Sequence, residues 1–299
     1  MDYHAPVLLS EILELSAGVD RVVDGTLGDG GHAQAFIARG ATVLGIDRDP
    51  EAIRRAEART ASPGLTTQLG STYDPAVLAR VRQFQPDLVL LDLGVSSRQL
   101  DEDALGFSFR PGTMLDMRMS GAGDSAADVL NTWDEEDLAR AFADWGDERR
   151  ARPLAREVVR RRGRSQFATS DDMVNAIRSV LGPRSGPSDF ARLFQALRIA
   201  VNGELAGLAE ALPELRDELT PGGRLLVISY HSGEDRIVKH AFQDWARRCV
   251  CPPEFPVCRC RGHALGTLDP RRPVRASETE VANNPRARSA TLRGFRTVT

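Results

Sequence analysis

Asp24-Gly25-Thr26-Leu27-Gly28-Asp29-Gly30-Gly31-His32 decides the fold. The apolar run Arg21-Val22-Val23 before it reads as a buried strand, and residues 32–39 after it read as a helix closed by Gly40. A glycine-rich loop between strand and helix lets backbone approach a ligand and leaves helix N–H groups facing it. Gly28 to Ala33 fits G-x-G-x-x-A, a dinucleotide fingerprint of low specificity by itself.

Beyond this loop, residues 41–46 read as a second buried strand ending at Asp47, and Pro50 opens a helix through about Arg59. Residues 86–91 form a strand ending at Asp92, residues 224–229 another, and 290–298 an expected edge strand. Strands alternating with helices predict an α/β fold with a doubly wound sheet and ligands at the C-terminal strand ends. Between Asp92 and Arg224 no convincing strand occurs, only helical patterns at 134–145, 153–162, 170–181 and 189–212. A parallel crossover needs one helix, so an all-helical domain is expected at 106–201, inserted into a discontinuous cofactor domain of 1–105 and 202–299.

Asp47 lies nineteen residues past Gly28, where a carboxylate can accept both hydroxyls of a ribose. Asp24, just before the glycines, would repel a pyrophosphate but suits an ammonium and a sulfonium, and Asp29 adds to that charge. Helix capping is the alternative for either. Asp92 is a further carboxylate beside the same crevice, with a turn-forming Asp before Gly94 as the alternative. A dinucleotide and S-adenosylmethionine both share the adenosine, and the carboxylates favour the latter.

The 299 residues are 41% hydrophobic and 27% charged, which excludes a disordered chain. No run approaches the roughly 18 apolar residues of a membrane helix, and Met1-Asp2-Tyr3-His4 lacks a signal peptide's opening, so a cytoplasmic protein is expected. Net charge is −3, yet Lys239 is the single lysine and arginine is unevenly spread. Residues 149–164 carry eight Arg against Glu157, and 247–299 carry eleven Arg against four acids. Such segments suit an anionic polymer, although arginine-rich coding and solvated helix faces would look alike. Arg152, Arg156 and Arg160 recur every fourth residue, which places guanidinium groups on one helix face and favours RNA contact.

The quoted loop is the first of a series of motifs in order. Others are Gly45-Ile46-Asp47-Arg48-Asp49-Pro50, Leu90-Leu91-Asp92-Leu93-Gly94-Val95-Ser96-Ser97-Arg98-Gln99, Leu115-Asp116-Met117-Arg118-Met119, Trp145-Gly146-Asp147-Glu148-Arg149 and Ser229-Tyr230-His231-Ser232-Gly233-Glu234. Together, from His4 to the last strand, they closely resemble the family of ribosomal RNA small subunit methyltransferase H, also called MraW. The resemblance implies a class I, Rossmann-like methyltransferase sheet and transfer of a methyl group from S-adenosylmethionine to N4 of a cytosine in the decoding region of small-subunit ribosomal RNA. It implies cofactor contacts at Gly30, Gly31, His32, Asp47, Asp92 and Gln99. Tyr73 is the counterpart of an aromatic beside the adenine, in a stretch one residue longer than the family's. The expected partner is small-subunit RNA in an assembled or nearly assembled subunit, and a homodimer is compatible with the sequence.

An exocyclic cytosine amine is a poor nucleophile, so N4 must be aligned with the methyl–sulfur bond and its developing charge stabilised. DNA N4-cytosine enzymes use Asp/Ser-Pro-Pro-aromatic at the corresponding strand end, whereas this chain has Asp92-Leu93-Gly94-Val95. His231 and Asp116 are the catalytic candidates expected to bracket the base. The alternatives are a non-catalytic surface His and an Asp116–Arg118 pair. Phe107 and Phe109 either stack on a flipped base or pack the insert. Cys249, Cys251, Cys258 and Cys260 form two C-x-C pairs, which read as metal binding before disulfides, with reduced thiols as the alternative. No residue is assigned as a metal ligand. Rival readings are a nicotinamide-dependent oxidoreductase, which would bind NAD, a ribosome-assembly factor without catalysis, and a methyltransferase acting on another RNA.

Overall fold

The computed structural model describes residues 6–252, 257 and 259–299. His4 and Cys258 lie outside them. The chain runs α1 (Leu9–Leu15), β1 (Arg21–Asp24), α2 (Gly31–Ala38), β2 (Thr42–Asp47), α3 (Pro50–Thr60), β3 (Leu65–Leu69), α4 (Pro75–Phe84) and β4 (Leu88–Asp92). Helices follow as α5 (Ser97–Asp101), α6 (Ala126–Thr132), α7 (Glu135–Asp144), α8 (Ala151–Arg162), α9 (Ser170–Leu181) and α10 (Pro187–Asn202). Then come α11 (Glu204–Asp217), β5 (Arg224–Ser229), α12 (Ser232–Ala246), β6 (Gly266–Leu268), β7 (Val274–Arg275), α13 (Glu278–Asn283) and β8 (Thr291–Thr297).

Two compact units result, one of Met1–Gly94 with Leu205–Thr299, the other of Val95–Glu204. Residues 95–105, expected with the sheet, therefore fall in the helical unit, as do 202–204. In the first unit the sheet order is β3-β2-β1-β4-β5-β8-β6, with β7 also on β8. Strands β1 to β5 are parallel, and β8 runs antiparallel between β5 and β6. The expected edge strand is thus an interior one, because β6 covers its outer side.

Period-two alternation explains the two cores. Val22, Leu90 and Leu226 face α1, α2 and α3 through Ile12, Phe36 and Ala56. Val23, Leu44, Leu91 and Val227 face α4, α11 and α12 through Val81, Leu212 and Phe242. Helices cover both faces, and the winding reverses between β1 and β4, where such sheets place ligands.

The helical unit has its own core, including Leu138, Phe142, Leu154, Val158, Ile177, Leu193 and Leu197. The stretch read as one helix at 189–212 is two, since Gly203 adopts φ 60° and ends α10. Among the described residues no helix is long and apolar enough to cross a membrane.

Candidate active site

β1, β2 and β4 end in Asp24, Asp47 and Asp92. Adjacent strands lie about 4.8 Å apart, so three carboxylates stand side by side across the winding reversal. The loop after β1 is tied to both neighbours: Gly25 N–H donates to Leu90 O at 2.8 Å and Leu27 N–H to Ile46 O at 2.9 Å. Gly28 N–H then donates to Asp47 Oδ2 at 2.8 Å, and Asp49 N–H to Oδ1 at 2.9 Å. A carboxylate offers about four acceptor sites, so Asp47 keeps capacity for two hydroxyls. Burial holds its pKa above the usual carboxylate range.

Asp24 is almost wholly buried, and its Oδ1 accepts Thr26 N–H at 3.3 Å. Burial, reinforced by Asp92 and Asp47, pushes its pKa up to about 7. Asp92 is held from two sides. Its N–H donates to Thr26 Oγ1 at 2.6 Å, and Tyr230 Oη donates to its Oδ1 at 2.8 Å. Burial also raises the Asp92 pKa to about 7, partly opposed by the Tyr230 bond. The Tyr230 phenol is pushed well above its ordinary value by burial and by Asp92, so it remains a neutral donor. Among the described residues no Arg or Lys forms an ion pair with Asp24, Asp47 or Asp92. One buried and two half-buried acids without a cation favour a ligand that brings one.

His32 is buried, and its Nε2 lies 3.0 Å from Val7 O. A carbonyl only accepts, so Nε2 carries the hydrogen and Nδ1 presents a lone pair. Burial lowers its pKa to about 4. The 3.8 Å approach of Nδ1 to Asp92 Oδ2 is therefore a contact between a neutral ring and an acid, not an ion pair.

The loop glycines divide by role. Gly30 caps α2 at φ 74°, and a Cβ there would sit 3.0 Å from Ala56 Cβ. At Gly31 it would sit 2.6 Å from Pro6 Cγ. Packing alone thus demands both. Gly28, at φ 52°, meets only Thr26 O at 3.9 Å and is the open position of the loop. Asp29 does not contribute free charge, because Arg55 donates to its Oδ1 through Nε at 3.0 Å and Nη2 at 2.5 Å. Neither it nor Asp24 caps α2.

Tyr73 follows β3, with the Arg48 guanidinium 5.2 Å from its ring centre. Its ring is packed on Gly207 of α11, where a Cβ would come within 2.1 Å of Cδ2. Gln99 belongs to the helical unit. It is buried, and its Oε1 accepts Ser96 N–H at 2.8 Å in a capping box at the start of α5.

The two catalytic candidates are both engaged. Asp116 is gripped by Arg118, whose Nε and Nη2 each donate at 2.8 Å. That pairing lowers the Asp116 pKa, which makes it a weak base and favours the ion-pair alternative. His231 caps α12, its Nδ1 accepting Glu234 N–H at 3.4 Å. Its Nε2 lies 3.1 Å from Glu234 Oε1 without hydrogen-bond geometry. Phe107 is buried, and Phe109 meets Phe190 and Phe194 edge-on at 5.9 and 6.0 Å, so both serve the helical core.

On α8, Arg152, Arg156 and Arg160 are exposed while Ala151, Leu154, Ala155 and Val158 are buried. Glu157 binds Arg160 and Arg161, each at 2.7 Å. Arg162 instead donates to Leu130 O and Trp133 O at 3.0 and 2.6 Å, a packing role.

Three groups escaped sequence reasoning. The Tyr230 hydroxyl, Thr26 and Glu234 stand in the quoted motifs without an assigned role. Glu234 is buried, and its Oε2 accepts Tyr230 N–H at 2.8 Å. A phenol closing a buried strand was the available signal, since a buried hydroxyl needs a partner.

The sequence profile described as "MraW methylase family" matches residues 1–298. A ribosomal RNA small subunit methyltransferase H from Gemmatimonas aurantiaca is 54% identical, over 98% of this chain and 95% of the relative. One from Rubrobacter xylanophilus is 45% identical, over 98% and 96%. The crystal structure of an rRNA methylase from Streptococcus thermophilus aligns at 11% identity and TM-score 0.44, covering 100% of both chains.

Proposed function

The chain belongs to the MraW methylase family, and from that premise we propose that it moves a methyl group from S-adenosylmethionine to N4 of a cytosine in the decoding region of small-subunit ribosomal RNA. One observation carries the cofactor reading: Asp24, Asp47 and Asp92 end adjacent strands around a glycine loop. A pyrophosphate there would meet three carboxyl groups, whereas an ammonium or sulfonium would ionise and satisfy them. The donor set therefore fits S-adenosylmethionine and disfavours a dinucleotide.

S-adenosylmethionine, when bound, supplies a methyl group on positively charged sulfur. Asp47 would accept the ribose hydroxyls, with its orientation set by Gly28 and Asp49 N–H groups. Asp24 would face the cationic part. The cytosine amine loses one proton on methylation, and Asp92, with a pKa near 7 and one oxygen held by Tyr230, is the acceptor this site offers. The exposed arginines of α8 would bind RNA phosphates. A folded small subunit, which fixes the target base, is the substrate this reading favours.

The test is methyl transfer from labelled S-adenosylmethionine into small subunits from cells lacking this enzyme, followed by nucleoside analysis. N4-methylcytidine at a single site is expected. Intact cofactor binding without incorporation would refute the substrate, and label in another nucleoside would refute the target atom.

A further inference from the structure

The segment between α12 and β6 holds all four cysteines of the chain, and Cys249, Cys251 and Cys260 have no part in the crevice. The Sγ atoms of Cys249, Cys251 and Cys260 lie within 4.8 Å of one another, those of Cys249 and Cys260 at 3.8 Å. Sulfurs about 2.3 Å from a tetrahedral zinc are about 3.8 Å apart, whereas a disulfide draws them to about 2.05 Å.

Backbone donors point at the sulfurs. Val250 N–H donates to Cys260 Sγ and Arg259 N–H to Cys251 Sγ, both at 3.3 Å. Each donor belongs to one C-x-C pair and its acceptor to the other. N–H groups aimed at sulfur are the outer hydrogen bonding that metal–thiolate sites use.

The base of the segment is closed independently. Leu265 N–H donates to Trp245 O at 2.8 Å, and Arg261 reaches Arg247 O at 3.0 Å and His263 O at 2.9 Å. Arg247, Arg248, Arg259 and Arg261 lie in the same segment and offset the negative charge that three thiolates leave around a divalent cation.

We propose that Cys249, Cys251 and Cys260 bind one zinc ion that locks the α12–β6 connection. Thiolates select soft or borderline ions, and tetrahedral sulfur geometry favours zinc among them. Cys258 lies outside the described residues, and the site is argued without it. The ion closes a long loop and so holds β6 against β8, adding stability without touching the chemistry.

The test is elemental analysis of the full chain purified under reducing conditions and dialysed against a chelator. About one zinc per chain is expected, released when a mercurial blocks the thiols. The Cys249→Ser/Cys260→Ser variant should lose the metal and melt earlier while keeping wild-type affinity for S-adenosylmethionine. Wild-type protein that takes up no zinc from excess under reducing conditions would overturn the proposal. So would a Cys249–Cys260 disulfide found by mass spectrometry in that protein, or another metal at full occupancy.

Discussion

Burial sets the chemistry of Asp24 and Asp92, since both carboxyls titrate near pH 7 rather than in the ordinary carboxylate range. Between about pH 4 and 7 the unfolded chain releases protons that the folded chain keeps, so stability without cofactor falls as pH rises through that window. Thermal melts from pH 5 to 8 should show this decline, and Asp24→Asn should flatten it; a wild-type melt that climbs with pH would contradict the assignment. Tyr230→Phe removes the hydroxyl that holds Asp92, and the Asp92 pKa should rise further. The pH profile of methyl transfer should then shift to higher pH with little change in cofactor affinity, readable in kcat against pH. Equal loss of binding and turnover would mean that the phenol serves packing instead. His231→Ala should cost about 1 kcal/mol, the value of a helix cap, measured by denaturant unfolding. The acids were legible because each ends an apolar run. Their partners were not, because a hydroxyl donor just past the end of β5 has no local signature in the sequence of β4.

Elements were legible where burial and periodicity agree. The interiors of β1, β2, β4 and β5 are apolar, and the boundaries of α9 match the periodic stretch. β3 went unread because Leu65–Leu69 is Leu-Thr-Thr-Gln-Leu with no buried residue, as an edge strand permits. The position of β8 depends on β6, a three-residue strand too short to signal itself. A glycine inside a helical pattern is ambiguous, and Gly203 proved to be a stop. Arg152→Ala/Arg156→Ala should weaken RNA binding and reduce its salt dependence by about one unit of log–log slope per lost phosphate contact, with cofactor affinity unchanged. Parallel loss of both would indicate unfolding of the helical unit.

At the scale of the molecule, an interval of about 130 residues between β4 and β5 announced the helical unit, because no crossover needs that length. Its limits were harder to read. Residues 95–105 continue directly from a strand end, and only the capping box of Ser96 and Gln99 starts the new unit there. On the proposed function the first unit is a site for a cationic nucleoside cofactor, built on three strand-end carboxylates. Calorimetric titration of the full chain with S-adenosylmethionine, its demethylated product and NAD tests this most directly. Both sulfur compounds should bind and NAD should not, and Asp47→Ala should lose about ten- to a hundredfold in affinity, the value of a charged hydrogen-bond acceptor. Binding of NAD in preference, or an Asp47→Ala protein with wild-type affinity, would contradict it.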